Sequence, residues 1–232
     1  DEKGNPIIGI DGKPIMGRLN YVVWSDVFVC PNCSKEIVFW EVAVDKEEGV
    51  VKDRFRCSFC GNELKKTDCE RAWKTVYDKP LKKNHTFAKQ LPVLISYSVG
   101  KKRYDKAPGS FDLELLSKIN EMEIPYWYPI DYMPDGEKIK DPKRLGLTHA
   151  HHFYTKRNLH ILSYINSKTE TSLLLFAFTG LLTRSSKQAR FLSKNYFHGG
   201  GGWVGTSLPG TLFVPSLNIE VIPIFIFANR IE

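Results

Sequence analysis

Two Cys-x-x-Cys pairs, Cys30/Cys33 and Cys57/Cys60, stand 23 residues apart in the first third of this 232-residue chain. Such a pair presents two thiolates on one side of a tight turn, and two pairs complete a tetrahedral four-sulfur site for Zn²⁺. Each pair is followed by a turn-forming residue, Ser34 or Gly61, and then by a short apolar run. That texture predicts a zinc ribbon, with the metal held between two hairpins. Zn²⁺ has no redox chemistry, and four protein ligands leave no open coordination position, so the predicted site is structural. Disulfides are the competing reading. The sequence shows no signal-peptide pattern and no apolar run near the roughly 18 residues that span a membrane. A cytoplasmic protein with no membrane partner follows, and in that compartment thiols stay reduced. The fifth cysteine, Cys69, is expected to be a buried free thiol, because the tetrahedral set is already complete.

Around the ribbon the chain divides into three parts. Residues 1–20 read as a linker, since Gly4, Pro6, Gly9, Gly12, Pro14 and Gly17 break any helical period. They begin without a methionine, as an excised segment or the ordered part of something longer would. Residues 21–66 form the ribbon, with strands over 21–29, 36–44 and 50–56, a turn at Gly49, and Ile37, Phe39 and Val51 packed beside the metal. Residues 67–232 read as a mixed α/β region, making the fold class α+β.

Within that region the stretch around Trp73 and Tyr77 fits either a short helix ended by Pro80 or a strand. Residues 91–99 are a strand, and 110–122 a helix capped by Ser110. Tyr126, Trp127 and Tyr128 are expected to plug the core rather than form a stacking surface. A helix starts at Thr155, and a second, over 170–194, passes from apolar to basic. The C-terminal segment is strand-like, and Pro215 and Pro223 argue for edge or interrupted strands.

The net charge of +7 is unevenly spread. Residues 1–64 carry 8 basic and 11 acidic side chains, a net of −3, whereas residues 65–106 carry 12 and 4, a net of +8. Residues 107–139 sum to −5 and residues 140–200 to +8, from 10 basic and 2 acidic side chains. Two separate basic blocks are an electrostatic footprint for nucleic acid, with solvated helix faces as the bland alternative. The residues expected to contact DNA phosphates are Lys101, Lys102, Arg103, Lys156, Arg157, Arg184, Lys187 and Arg190.

No complete catalytic constellation appears. His149, His151 and His152 lack cysteine or carboxylate companions at ligand spacing, and packing or hydrogen bonding explains them better than a metal. Phe197-His198-Gly199-Gly200-Gly201 matches the letters of a methyltransferase cofactor loop, F-x-G-x-G. Such a loop follows a parallel strand and opens a helix. Here a basic segment precedes it and a Pro-Gly turn follows. The Gly199–Gly202 run is therefore read as a loop that approaches a ligand or phosphate, not as a cofactor cradle.

The strings NYVVWSDVFVCPNC, LPVLISYSVGKKRYDK, IPYWYPIDYMPDG, GLTHAHHFYTKRNLHILSYI and LLLFAFTGLLTRSSKQARF, with the two knuckles, carry a resemblance over nearly the whole chain. They are similar to the middle of the zinc-ribbon-containing adenine-specific DNA methylases, a bacterial and archaeal family of modification and defence systems. The resemblance implies a parent enzyme that transfers a methyl group from S-adenosylmethionine to a base amine in DNA. That family works through an F-x-G-x-G loop and an (Asn/Asp)-Pro-Pro-(Tyr/Phe) motif. This chain contains no Pro-Pro dipeptide, and the family's order places the two motifs before residue 1 and after residue 232. Only Cys30, Cys33, Cys57 and Cys60 transfer position by position.

The implied role is a zinc ribbon and DNA-positioning surface at the edge of a methyltransferase core, inactive alone, with DNA and the rest of the enzyme as partners. The alternative is a zinc-ribbon assembly module of a restriction-modification or phage-defence complex, without catalysis of its own. A third reading is an enzyme with a site around His149, His151, His152 and the glycine loop.

Overall fold

The β-branched and aromatic run RLNYVVWSDVFV builds a 12-residue strand, β1 (Arg18–Val29), in the computed structural model, which describes residues 7–15, 17–199 and 203–231. From Tyr21 to Phe28 every residue except Trp24 is buried, so both faces of the strand are covered and it lies in the interior of a sheet. After the first knuckle come β2 (Glu36–Val38), α1 (Phe39–Ala43), and the short paired strands β3 (Val44–Asp45) and β4 (Val50–Val51). The strand expected over 36–44 is thus broken by a helical turn. An extended chain would point either Phe39 or Trp40 at solvent; the turn buries both, together with Ala43.

The second knuckle joins β5 (Arg54–Arg56) to β6 (Glu63–Lys65), and β7 (Glu70–Arg71) returns to the end of β1. Strands β8 (Trp73–Asp78) and β9 (Lys83–Ala88) form a separate hairpin, which settles the helix-or-strand alternative there. Then follow β10 (Gln90–Val99) and β11 (Lys102–Lys106). Helix α2 (Ser110–Glu121) is capped at Gly109 rather than Ser110, with the Asp112 carboxylate accepting the Gly109 N–H at 2.8 Å. The chain continues through α3 (Lys140–Lys143), α4 (Lys156–Ser167), α5 (Ser172–Thr179), β12 (Arg190–Phe191), α6 (Ser193–His198), β13 (Gly205–Thr206), β14 (Leu217–Val221) and α7 (Pro223–Ile231). Among the described residues no helix is long and apolar enough to cross a membrane.

The main sheet runs β11-β10-β1-β14-β12-β13, and β2 and β7 pair with the last residues of β1. These pairings are antiparallel, so the molecule is a mixed α/β structure built on antiparallel sheets. One core joins sheet and ribbon: Tyr21, Val23, Leu94 and Ile219 belong to the same buried cluster as Phe28, Ile37, Phe39, Phe55, Leu64 and the sulfur-bearing Cys30 and Cys57. Val51, expected beside the metal, is exposed instead. A smaller cluster of Leu162, Ile165, Phe178 and Leu181 holds α4 against α5 and α7.

Three further expectations change. The helix predicted over 170–194 stops at Thr179, with Gly180 as its C-cap. Beyond it the Lys187 N–H donates to the Phe153 carbonyl at 2.7 Å, so tertiary contacts redirect a sequence whose local preference is helical. Strand β14 is interior, not an edge: it pairs with β1 on one side and β12 on the other, and all five residues are buried. Pro215 precedes it and Pro223 opens α7, a position where a missing N–H costs nothing. In the aromatic loop, Tyr126 and Tyr128 are half-buried while Trp127 is exposed. Cys69 is a half-buried free thiol.

Candidate metal centre and basic surfaces

The two knuckles repeat one hydrogen-bond pattern. The Cys30 N–H donates to the Lys35 carbonyl at 2.9 Å and the Ser34 N–H to the Cys30 carbonyl at 2.9 Å. In the second knuckle the Cys57 N–H donates to Asn62 at 2.9 Å and the Gly61 N–H to Cys57 at 3.0 Å. Both turns need a left-handed residue after the second cysteine, supplied by Ser34 at φ 57° and Gly61 at φ 71°. The result brings Cys30, Cys33, Cys57 and Cys60 together, with all four sulfurs within 4.8 Å of one another.

Cys30 Sγ lies 3.8 Å from Cys60 Sγ, and Cys33 Sγ 3.7 Å from Cys57 Sγ. A tetrahedral ion with metal–sulfur bonds of about 2.3 Å places its sulfurs ~3.8 Å apart, so these two separations match those around a bound ion. The thiols show the electrostatic tension that a cation relieves. At Cys60 a hydrogen bond from Asn32, then the Asn62 N–H, holds the thiol down to about 6. At Cys33 a hydrogen bond from the Lys35 N–H favours the thiolate, but desolvation and the neighbouring sulfurs outweigh it and push the thiol up to about 12.

A second cluster joins parts of the chain distant in sequence. Asp78, at the end of β8, accepts hydrogen bonds on Oδ2 from His152 Nε2 at 2.8 Å and His151 Nε2 at 3.1 Å. All three residues are buried. His152 Nδ1 accepts the backbone N–H groups of Thr148 at 3.2 Å and His149 at 3.3 Å. These two donors assign the proton to Nε2. Asp78 supplies the carboxylate companion that the sequence did not show: the donor atoms of Asp78, His151 and His152 lie within 4.8 Å of one another, and an ion bound there would displace the Nε2 proton of His152. The same hydrogen bonds clamp the β8–β9 hairpin to residues 149–153. Burial holds the His152 imidazole down to about 3, against the opposing hydrogen bond to Asp78. Burial also lowers His151. For Asp78 burial works upward, but the bonds from His152 and His151 outweigh it and leave the carboxyl below its ordinary value. Gly146 closes the same region: at φ 83° it leaves room for the Thr86 carbonyl, and its own carbonyl lies 2.7 Å from His85 Nε2.

The eight basic residues expected at phosphates have different fates. Arg103 and Arg184 are brought together, with Arg18, around one cleft. Lys101 and Lys102 are exposed at the β10–β11 turn, Arg190 is exposed on β12, and Lys156 is half-buried. Arg157 and Lys187 turn inward. Arg157 Nη1 lies 3.4 Å from Glu220 Oε1, a buried carboxylate that also accepts Trp24 Nε1 at 2.8 Å and Thr155 Oγ1 at 2.6 Å. Lys187 Nζ donates to the His152 carbonyl at 2.9 Å, and burial lowers its ammonium to about 8.

Sequence reading passed over Arg18, which lies in the net-acidic block, as well as Asp78 and Glu220. The side-chain partners of those two carboxylates are 63 to 196 residues away, and no local pattern announces them. Of the glycine loop, residues 200–202 lie outside the described residues; Phe197 before it stacks on Trp40, with ring centroids 6.1 Å apart, as a core side chain. Comparison with family models, curated proteins and solved structures finds no match to this chain.

Proposed function

We propose that this chain binds DNA through a surface beside a structural Zn²⁺ ribbon, as the DNA-positioning part of an S-adenosylmethionine-dependent adenine-specific DNA methyltransferase. The observation that carries the DNA reading is the β8–β9 hairpin. Trp73 and Tyr77 stand on one face of β8, 51% and 62% exposed, on either side of the Thr75–Thr86 hydroxyl pair. Lys82 is exposed at the hairpin turn, and Lys74 and Lys83 are exposed on the opposite face. A two-stranded ribbon fits the major groove of a duplex, about 12 Å wide, where exposed rings make apolar contact with base edges. Lysines at its edges supply the salt-dependent affinity.

The test is fluorescence anisotropy of a labelled duplex titrated across salt. Wild type binds at low salt, and Trp73→Ala and Tyr77→Ala each weaken binding. Lys82→Gln and Lys83→Gln each reduce the salt slope by about one. Absence of binding at low salt, or variants indistinguishable from wild type, refutes the DNA reading.

Zn²⁺ is proposed because four thiolates in tetrahedral array with no open position suit Zn²⁺ or an iron–sulfur cluster, and the isolated S₄ set suits the single ion. Metal analysis returns one zinc per chain if this is right; visible charge-transfer absorption refutes it. The methyltransferase part rests on the sequence resemblance. Its test is the flanking reading frame, where absence of an F-x-G-x-G loop and a Pro-Pro motif overturns it.

A second reading, an assembly module without catalysis, is favoured by α5, which leaves Leu173 and Phe176 75% and 78% exposed. Under it, Leu173→Ser with Phe176→Ser abolishes capture of a partner while DNA affinity stays unchanged.

A further inference from the structure

A cleft of about 510 Å³ opens between the start of β1, the end of β10 and the first turn of α7. That volume lies within the ~300–1,000 Å³ of sites that take small organic ligands. Three guanidinium groups line it, Arg18, Arg103 and Arg184, and among the described residues no carboxylate does. One compensating charge, Asp105, lies 3.7 Å from Arg103 Nε. Three arginines less one carboxylate leave two positive charges, the complement of a phosphate dianion rather than of a single carboxylate.

Arg103 and Arg18 are held before any ligand arrives. Arg103 Nε donates to Ser96 Oγ at 2.9 Å, its Nη2 donates to Tyr21 Oη, and its plane lies over the Tyr21 ring, 5.1 Å from the centroid. Arg18 lies over the Phe225 ring at 4.8 Å. Stacking of this kind fixes the guanidinium plane while leaving outward N–H groups for an anion, which lowers the ordering cost of binding. The rest of the lining suits a flat, weakly polar body. Trp203 stands edge-on to Tyr21, with centroids 6.2 Å apart at 79°, and is half exposed, so one indole face is available for stacking. The Asn20–Ser98 side-chain pair, 2.9 Å apart, offers donors and acceptors beside it.

We propose that this cleft binds a free nucleoside monophosphate, with its phosphate on Arg18, Arg103 and Arg184 and its base against Trp203. The site is separate from the β8–β9 surface and stands whether or not that surface binds DNA. Three arginines are also a poor host for the sulfonium cation of S-adenosylmethionine.

The experiment titrates the 232-residue chain with each of the four ribonucleoside 5′-monophosphates, following tryptophan fluorescence and calorimetry. At least one binds saturably with a Kd below about 1 mM, while its nucleoside and inorganic phosphate bind at least ~10-fold more weakly. Arg184→Gln and Arg18→Gln each weaken the nucleotide by about 10-fold or more. Trp203→Ala does so as well, and all three retain the wild-type circular dichroism and melting curve. The inference is overturned if no nucleotide binds, if inorganic phosphate or benzoate binds as tightly as the nucleotide, or if the arginine variants bind it like wild type. It is also overturned if Arg184→Gln weakens duplex DNA as much as it weakens the nucleotide, since the cleft then serves a strand rather than a free ligand.

Discussion

Removing the metal from the four-cysteine site should melt one hairpin and leave its neighbour strand standing. The hairpin from Arg54 to Lys65 brings only Phe55 and Leu64 into the core as large apolar residues. Burying them is worth ~1.5–3 kcal/mol each. Its few backbone hydrogen bonds add roughly 1 kcal/mol apiece. Ordering about a dozen residues costs ~12–24 kcal/mol of backbone entropy. The shortfall is of the size that a structural zinc supplies, ~10–16 kcal/mol. By contrast, β1 pairs with β10 and β14 along Tyr21–Ser25, far from any sulfur. Hydrogen exchange read by mass spectrometry, with and without a strong chelator, separates the two. Amides of 54–65 should lose protection by ~100-fold or more while those of 21–26 stay protected. Unchanged protection over 54–65 in verified metal-free protein would refute the structural role of the site. Loss over 21–26 as well would refute the independence of the sheet.

Glu220→Gln keeps the side chain's shape but removes the charge that faces Arg157 and one of the two oxygens that accept Trp24 Nε1 and Thr155 Oγ1. It should cost ~2–4 kcal/mol by urea denaturation, and a loss below about 1 kcal/mol contradicts the buried-carboxylate account. The His152 imidazole is held to about 3 when folded. Between roughly pH 6.5 and that value the unfolded chain binds a proton that the folded chain refuses, so stability falls as pH falls, by up to ~1.4 kcal/mol per pH unit. Asp78, also held low, loses stability in the same direction further into acid. Urea midpoints from pH 7 to 4.5 should therefore slope less steeply in His152→Gln, and equal slopes refute the assignment. Gly146→Ala forces a Cβ onto the Thr86 carbonyl at a left-handed φ of 83°. A drop of more than ~2 kcal/mol is expected, and a neutral effect in the same titration contradicts the close approach.

What the sequence disclosed depended on range. The knuckles were legible because every determinant of the sulfur site sits within six residues of a cysteine: the spacing, Ser34 and Gly61. β1, β10, α2 and α4 followed from local alternation or helical period. Where a segment's shape depends on distant partners, pattern misled. Phe39 and Trp40 read as strand until both needed burial beneath β1. The 180–190 segment reads as helix until its backbone bonds to Phe153. β14 read as an edge because prolines bracket it, yet they mark its ends and leave its five residues free to pair on both sides. Charge counting found basic blocks but not their orientation. Arg103 and Arg184 reach a common cleft, while Arg157 and Lys187, counted the same way, serve the interior.

Strand β1 is a ruler. Tyr21, at the cleft, stands on this strand and Cys30, at the first knuckle, follows its last residue, and the nine steps between them span about 30 Å. Because side chains alternate along it, their relative facing is set by the parity of the spacer. An inserted residue between them would invert one end or the other, and compensation would require a matching bulge like those already present at Leu19/Tyr21 and Val23/Trp24. The loop at 46–48, by contrast, connects two-residue strands ahead of Gly49, the residue that packs against Lys194 and His198 of α6. Length changes should accumulate there among relatives of this chain and be absent from 22–29, a distribution fixed by geometry before any ligand is considered.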